Sequence, residues 1–263
     1  MKNIVFFSFK GGVGRTLVLL DTAFIIARTL GRNVGIIDGD IEAPSLHFIL
    51  DIQPERDQNF VDILLGGVFG KTAIAAGSIP IKSVLPEKRR EKIGSGNVVL
   101  YPSLFDDPRE PKIDRIKYDD NTRDTLRDFL EKFTTVNKLD YILVDCRPGV
   151  FTGMARLTLS LASCICLVFR LDRQNVDGVR YMLVQAAKRK RPIFLIANQV
   201  PKTERGMQRI AEFQELINKN IDVIIPFDER LIFGDVIAAL DFEVEDAFCN
   251  SYEKLIKILE GKV

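Results

Sequence analysis

An apolar run, Ile4–Phe7, gives way to Ser8-Phe9-Lys10-Gly11-Gly12-Val13-Gly14-Arg15-Thr16-Leu17, and apolar residues at helical spacing follow directly. No other stretch restricts the fold as strongly. A buried strand, a glycine loop and a helix N-terminus form an anion cradle. Loop N–H groups converge on a phosphate, and the helix dipole favours negative charge there. Gly11, Gly12 and Gly14 supply the backbone freedom and close approach that such a loop requires. Thr16 is placed to offer a hydroxyl to Mg²⁺. The plainer alternative is a turn joining strand to helix with no ligand. Three glycines with a lysine, an arginine and a threonine in this register weigh against it.

The generic phosphate-loop pattern G-x-x-x-x-G-K-[ST] fits imperfectly, because Phe9 replaces its first glycine and Arg15 its lysine. Lys10-Gly11-Gly12-Val13-Gly14-Arg15-Thr16 more closely resembles the deviant Walker A motif, K-G-G-x-G-K-[ST], of the ParA/MinD family of dimeric P-loop ATPases, and departs from it only at Arg15. The resemblance implies an α/β chain with the three-layer P-loop NTPase fold, a mostly parallel central sheet with helices on both faces. It implies ATP/ADP and Mg²⁺ as ligands, with Lys10 to Leu17, Val13 included, around the phosphates.

Length and composition agree with one such domain spanning residues 1–263. The chain is 46% hydrophobic, enough to bury one large core or two small ones. Lys plus Arg (37) nearly balance Asp plus Glu (36), so net charge demands neither nucleic acid nor membrane as partner. No apolar run reaches the length of a membrane span, and a strand entered by residue 3 leaves no room for a secretory signal. Cys146, Cys164, Cys166 and Cys249 lie in apolar contexts that suit reduced thiols in a cytoplasmic protein, and their spacing fits no zinc module.

Strand and helix patterns alternate along the chain, which predicts a parallel sheet covered on both faces. Helices are expected over 16–30, closed by Gly31, and over 121–136, 153–161, 175–190, 204–218, 229–240 and 246–259, with a short helical run at 46–50. Strands are expected over 33–37, 97–101, 140–145, 164–169, 193–197 and 223–225. Residues 51–96 are the least regular. Gly66-Gly67-Val68-Phe69-Gly70-Lys71-Thr72 ends like a Walker A motif, but its glycine spacing is one residue short and a short helix or turn, 61–65, precedes it. It reads as a surface loop. Lys88-Arg89-Arg90 with Lys92 reads as a solvated basic loop, and residues 105–117 as a surface connection.

Three further features stand at C-terminal ends of expected core strands, where open α/β sheets bind ligands. Asp38-Gly39-Asp40 resembles the family's switch I, whose second Asp positions the attacking water, and the Mrp branch of the family has a similar stretch through Pro44-Ser45. The rival reading is two carboxylates capping the next helix. Asp145-Cys146-Arg147-Pro148-Gly149 matches the family's D-x-x-P-G, in which the Asp holds Mg²⁺ with Thr16 and Asp40. Arg147 is unusual there and either adds charge near the phosphates or faces solvent. Asn198 and Pro226-Phe227-Asp228 match the segments that flank the base, against a rival reading of ordinary turn chemistry.

The resemblance implies that Lys10 reaches the partner's phosphates in an ATP-dependent homodimer, with Lys10, Asp40 and Arg15 as the catalytic groups. Arginine keeps the charge of the usual lysine but not its compact shape. Misplaced charge costs a few kcal/mol of barrier, roughly a hundredfold in rate. Binding with slow hydrolysis is therefore expected, with an unidentified protein partner or activator. The basic clusters at 88–92 and 188–191 suit DNA as a further partner. An apolar C-terminal stretch, Ser251–Val263, suits either membrane contact or core packing, and core packing is preferred. Cys164-Ile165-Cys166 lies mid-strand at the wrong spacing for the C-x-x-C of iron–sulfur carriers, so no cluster is expected. Two rival readings remain: a nucleotide-binding scaffold with little catalysis, and a P-loop transferase or synthetase with residues 51–96 as substrate lid. His47, the sole histidine, reads as packed rather than catalytic.

Overall fold

The computed structural model describes residues 2–54, 59–67, 70–104, 112–149, 152–232 and 236–262. Strands β1 (Lys2–Phe7), β2 (Asn33–Gly39), β3 (Ile79–Pro80), β4 (Asn97–Tyr101), β5 (Tyr141–Cys146), β6 (Cys164–Phe169), β7 (Ile193–Val200) and β8 (Val223–Pro226) form one sheet in the order β3-β4-β2-β5-β1-β6-β7-β8. Every pairing is parallel except that of the short edge strand β3 with β4. The expected three-layer architecture is present.

Side chains alternate across a strand, so each core strand feeds two apolar layers. From β1, Ile4 and Phe6 join one layer with the first helix, Arg15–Leu30, and with Tyr252, Leu255 and Leu259 of the C-terminal segment. Val5 and Phe7 join the other, against Phe129 and Phe133 of helix Asp120–Asn137, Met154 of Gly153–Leu161, Val179 of Arg173–Lys188 and Phe213 of Glu204–Ile217. Burying a side chain of this kind stabilises the fold by about 1.5–3 kcal/mol. All four cysteines are buried free thiols.

Helix starts follow local chemistry. Asp119, Thr152, Asp172 and Thr203 each accept a hydrogen bond from an N–H of the first turn that follows, a contact that contributes about 1 kcal/mol per helix. The first helix differs: its N-cap is Gly14, with no side-chain cap. Phe9, where the generic loop has glycine, packs over Gly178, and a Cβ there would lie 2.3 Å from the Phe9 ring.

Several local expectations are corrected. Lys71 and Thr72 open a helix, Lys71–Gly77, N-capped by Gly70, instead of lying in a loop. Val68 and Phe69 fall outside the described residues, as do 105–111 of the expected surface connection. The basic stretch forms a short helix, Glu87–Glu91, with Lys92 as its C-cap, and Arg89 and Lys92 bond within the chain. Arg89 donates to both carboxylate oxygens of Asp241 (2.7 and 2.8 Å), and Lys92 to the carbonyl of Phe242 (2.6 Å). No continuous helix covers 229–240. One 3₁₀ turn, Glu229–Leu231, and a short helix, Ala238–Asp241, stand there, with 233–235 outside the described residues. Asp228 and Asp241 bond locally to the N–H groups of Arg230 and Ile237, which favours turns over a continuous helix. The last expected helix is split into Ala247–Asn250 and Glu253–Lys262, and the Tyr252 hydroxyl between them bonds to buried Asp21 (3.0 Å). Tyr252, Leu255, Ile256 and Leu259 are buried in the core.

Candidate functional site

The strand order reverses around β1, and its C-terminal end is where a ligand crevice is expected. There the loop Ser8–Gly14 enters the first helix. Gly11 and Gly12 are exposed, whereas Val13 is buried and its carbonyl accepts a hydrogen bond from Asn198 Nδ2 (2.9 Å). Gly14 has φ +80°, and a Cβ on it would lie 2.4 Å from Asn198 Nδ2. Both facts require glycine. The uncapped first turn leaves its N–H groups for an anion.

β5 brings Asp145 beneath this turn. Thr16 Oγ1 donates to Asp145 Oδ2 (2.7 Å). Arg15, only 7% exposed, does not project from the loop. Its Nε donates to Asp145 Oδ1, its Nη2 to Asp40 Oδ2 (3.3 Å) and its Nη1 to Ser8 Oγ (3.4 Å). Burial acts to lower the Arg15 pKa, but the charge and hydrogen bond of Asp145, then Asp40, outweigh it and raise it. Asp40 is raised by burial, with Arg15 opposing.

The two carboxylates of the Asp38-Gly39-Asp40 stretch separate in role. Asp38 is fully buried and accepts from the N–H groups of Ser45 and Leu46 (both 3.2 Å), so the capping reading holds for it. Burial, and then the charge of Asp145, push its carboxyl well above the usual range. Asp40 instead turns to Arg15. In the Asp145–Gly149 segment, the N–H of Gly149 donates to the carbonyl of Ser8 (3.1 Å), tying this turn to the loop. Arg147 pairs with Glu42 and so joins the turn after β5 to the loop after β2. Lys10 donates to Gln174 Oε1 on helix Arg173–Lys188.

A cleft of about 240 Å³ opens beside the loop. Leu17, Asn198 and the segment Pro226-Phe227-Asp228 line it, so the late motifs meet the loop. Phe227 is half exposed at its rim. The Asp228 carboxylate is held by Arg230 (2.7 Å). Arg170 and Asp21 also line the cleft, although no motif marks them. Arg170 directly follows β6, so the rule that ligand groups gather at strand ends points to it once that end is placed. Asp21, Gln174 and Glu42 carry no such signal, since only folding brings them near. His47 is buried, and burial lowers its pKa.

Thr16, Asp145 and Asp40 are hard oxygen donors. Mg²⁺ binds through one or two carboxylates with phosphate oxygens completing its shell, so this set fits the ion. Among the described residues, no group of three or more His, Cys, Asp or Glu side chains is arranged to hold a metal, so phosphate oxygens or waters would have to complete the shell.

Residues 4–235 match the sequence model of the CobQ/CobB/MinD/ParA nucleotide binding domain. The chain belongs to this family. It is 24% identical over 235 residues to a putative septum site-determining protein MinD of Guillardia theta, covering 87% of this chain and 76% of that protein. It is 23% identical over 220 residues to a flagellum site-determining protein of Helicobacter pylori, covering 84% of this chain and 65% of that one. Among solved structures, the septum site-determining protein MinD of Pyrococcus horikoshii, complexed with Mg-ADP, superposes with a TM-score of 0.73 at 18% identity, over 100% of this chain and 99% of that one. No helix among the described residues is long and apolar enough to cross a membrane.

Proposed function

We propose that this chain is a cytoplasmic, Mg²⁺-dependent ATPase that works as an ATP-controlled dimerisation switch in partitioning, positioning or assembly, with slow turnover. The observation that carries this reading is the uncapped helix N-terminus at Gly14, set between the Thr16–Asp145 pair and the Asn198/Pro226–Asp228 cleft. One end suits phosphates and the other a base. Family membership and the Mg-ADP complex of the Pyrococcus relative support it.

In this reading the loop N–H groups and the first-turn dipole hold the phosphates. Thr16 and Asp145, with Asp40, would hold Mg²⁺, which neutralises charge on the β- and γ-phosphates when bound. Asp40 orients the attacking water once Arg15 releases it. Lys10 leaves Gln174 and reaches the partner's phosphates, so ATP joins two subunits and hydrolysis frees them. Gly14→Val drives a side chain into Asn198 and loses ATP binding by more than tenfold, measured with a fluorescent ATP analogue.

The deciding experiment is molar mass by light scattering in Mg-ATP and in Mg-ADP. Wild type is a dimer in Mg-ATP alone, and Lys10→Ala stays a monomer in both. Equal mass in both nucleotides removes the switch. A second reading, a nucleotide-binding scaffold with little catalysis, is favoured by the engagement of Arg15 with Asp40 and Asp145. ATP consumption that depends on Lys10 and Asp40 rules it out. DNA is a secondary proposal carried by the exposed 188–191 stretch. A membrane is disfavoured, since the apolar face of the C-terminal segment is used in the core.

A further inference from the structure

Asp38 and Asp145 are paired neighbours on β2 and β5, and Asp40 follows two residues later. Three carboxylates thus converge, Asp38 and Asp145 fully buried and Asp40 8% exposed. The cation bonded to two of them is Arg15, and Arg147 also acts electrostatically on Asp40. The guanidinium of Arg15 forks across Asp145 and Asp40, with Ser8 holding its third arm. Lysine is a single compact charge, whereas arginine's planar fork engages two carboxylates at once. Asp145 and Asp40 are the same side chains that the nucleotide reading assigns to Mg²⁺. Their charge therefore already has a tethered counter-ion supplied from the loop itself.

We propose that Arg15 is a built-in counter-cation that keeps Mg²⁺ off Asp40 and Asp145 until nucleotide phosphates draw the guanidinium outward. This rests on the nucleotide reading for the phosphates and on the structure alone for the closed pair. The state with Arg15 inward has its carboxylates neutralised and its attacking-water residue occupied. The state with Arg15 outward places the same charge on phosphate and opens the carboxylates to metal. Binding is thereby ordered, nucleotide first and metal second. By linkage the metal adds more to nucleotide affinity than it does with lysine at this position, because Arg15 excludes it from the nucleotide-free state alone.

The test begins without nucleotide. The full chain and Arg15→Gln are melted with and without millimolar MgCl₂ at matched ionic strength. The wild-type midpoint does not move. Arg15→Gln starts lower, because its carboxylates have lost their cation, and MgCl₂ raises it by about 3 °C or more. An equal rise in wild type, or no response in Arg15→Gln, overturns the proposal. Should Arg15→Gln fail to fold, Arg15→Lys leaves one carboxylate unpaired and is melted in the same way, with the same two outcomes deciding. Binding of a fluorescent ATP analogue is then titrated in MgCl₂ and in EDTA. The affinity gain from Mg²⁺ is several-fold smaller in Arg15→Lys than in wild type, because that variant takes up metal without nucleotide, and equal gains count against the proposal. Failure of wild type to bind the analogue in any condition removes the nucleotide reading, and the metal-only melts still decide whether Arg15 closes the pair.

Discussion

Asp145→Asn destabilises the folded chain by about 3 kcal/mol, at the low end of the cost of orphaning one partner of a buried ion pair. Asp145 is fully buried and serves both Arg15 Nε and Thr16 Oγ1. An asparagine fills the same volume, but it presents an amide N–H₂ to one of those two donors and removes the charge that offsets Arg15. The loss stays at the low end because Arg15 keeps Asp40, and because Asp38 is relieved of a neighbouring carboxylate. Urea unfolding checks the size, read as a fall in midpoint at constant slope. A change below about 1 kcal/mol shows that the pair contributes little beyond a well-packed neutral contact. The same variant loses the Mg²⁺-dependent part of ATP binding, which separates the ligand role of Asp145 from its structural one.

Asp21→Asn makes the chain more stable, by clearly more at pH 8 than at pH 5. Asp21 lies inside the first helix, and burial pushes its carboxyl up to about 7, against hydrogen bonds from the Ala239 N–H (2.8 Å) and the Tyr252 hydroxyl (3.0 Å) that lower it. Between the unfolded value near 4 and about 7, the folded chain holds a proton that the unfolded chain has released. Stability therefore falls as pH rises through that window and levels off above it. Three pKa units correspond to roughly 4 kcal/mol. Asparagine keeps an acceptor for Ala239 and offers an N–H to the Tyr252 oxygen without ionising. Unfolding midpoints of both proteins at pH 5 and pH 8 decide it. A penalty of equal size at the two pH values sinks the prediction. The contact also ties the C-terminal segment to the helix that begins at the phosphate loop, since Asp21 and Tyr252 both border the cleft.

Short-range physics was readable along the chain. The apolar run Ile4–Phe7, the glycines after it and the apolar pattern to Leu30 identified strand, loop and helix, because periodicity and backbone dihedrals depend on near neighbours. The alternation of patterns implied a parallel sheet, and the strand-end rule placed Asp40, Asp145, Asn198 and Pro226–Asp228 at the edge of the sheet that carries the glycine loop. Boundaries moved by only a residue or two where a capping residue stood in the sequence, as at Asp119 and Thr203.

What the tertiary structure decided were choices between partners far apart in sequence. Asp38 and Asp40 look alike in sequence, yet Asp38, inside β2, caps residues 45–46, whereas Asp40, just past the strand's end, meets Arg15. The loop motif places Arg15 in the sequence, but the carboxylates that surround it arrive from β2 and β5. Arg89 and Lys92 looked solvated until the segment 241–243 folded back onto them. The last expected helix is split where Tyr252 bonds to Asp21, a partner far away in sequence. Sequence alone determined the elements and the loop that defines the family, through local sterics and periodicity. Only packing determined which charge meets which, because Coulomb energy between buried groups depends on distances that exist only after the sheet has assembled.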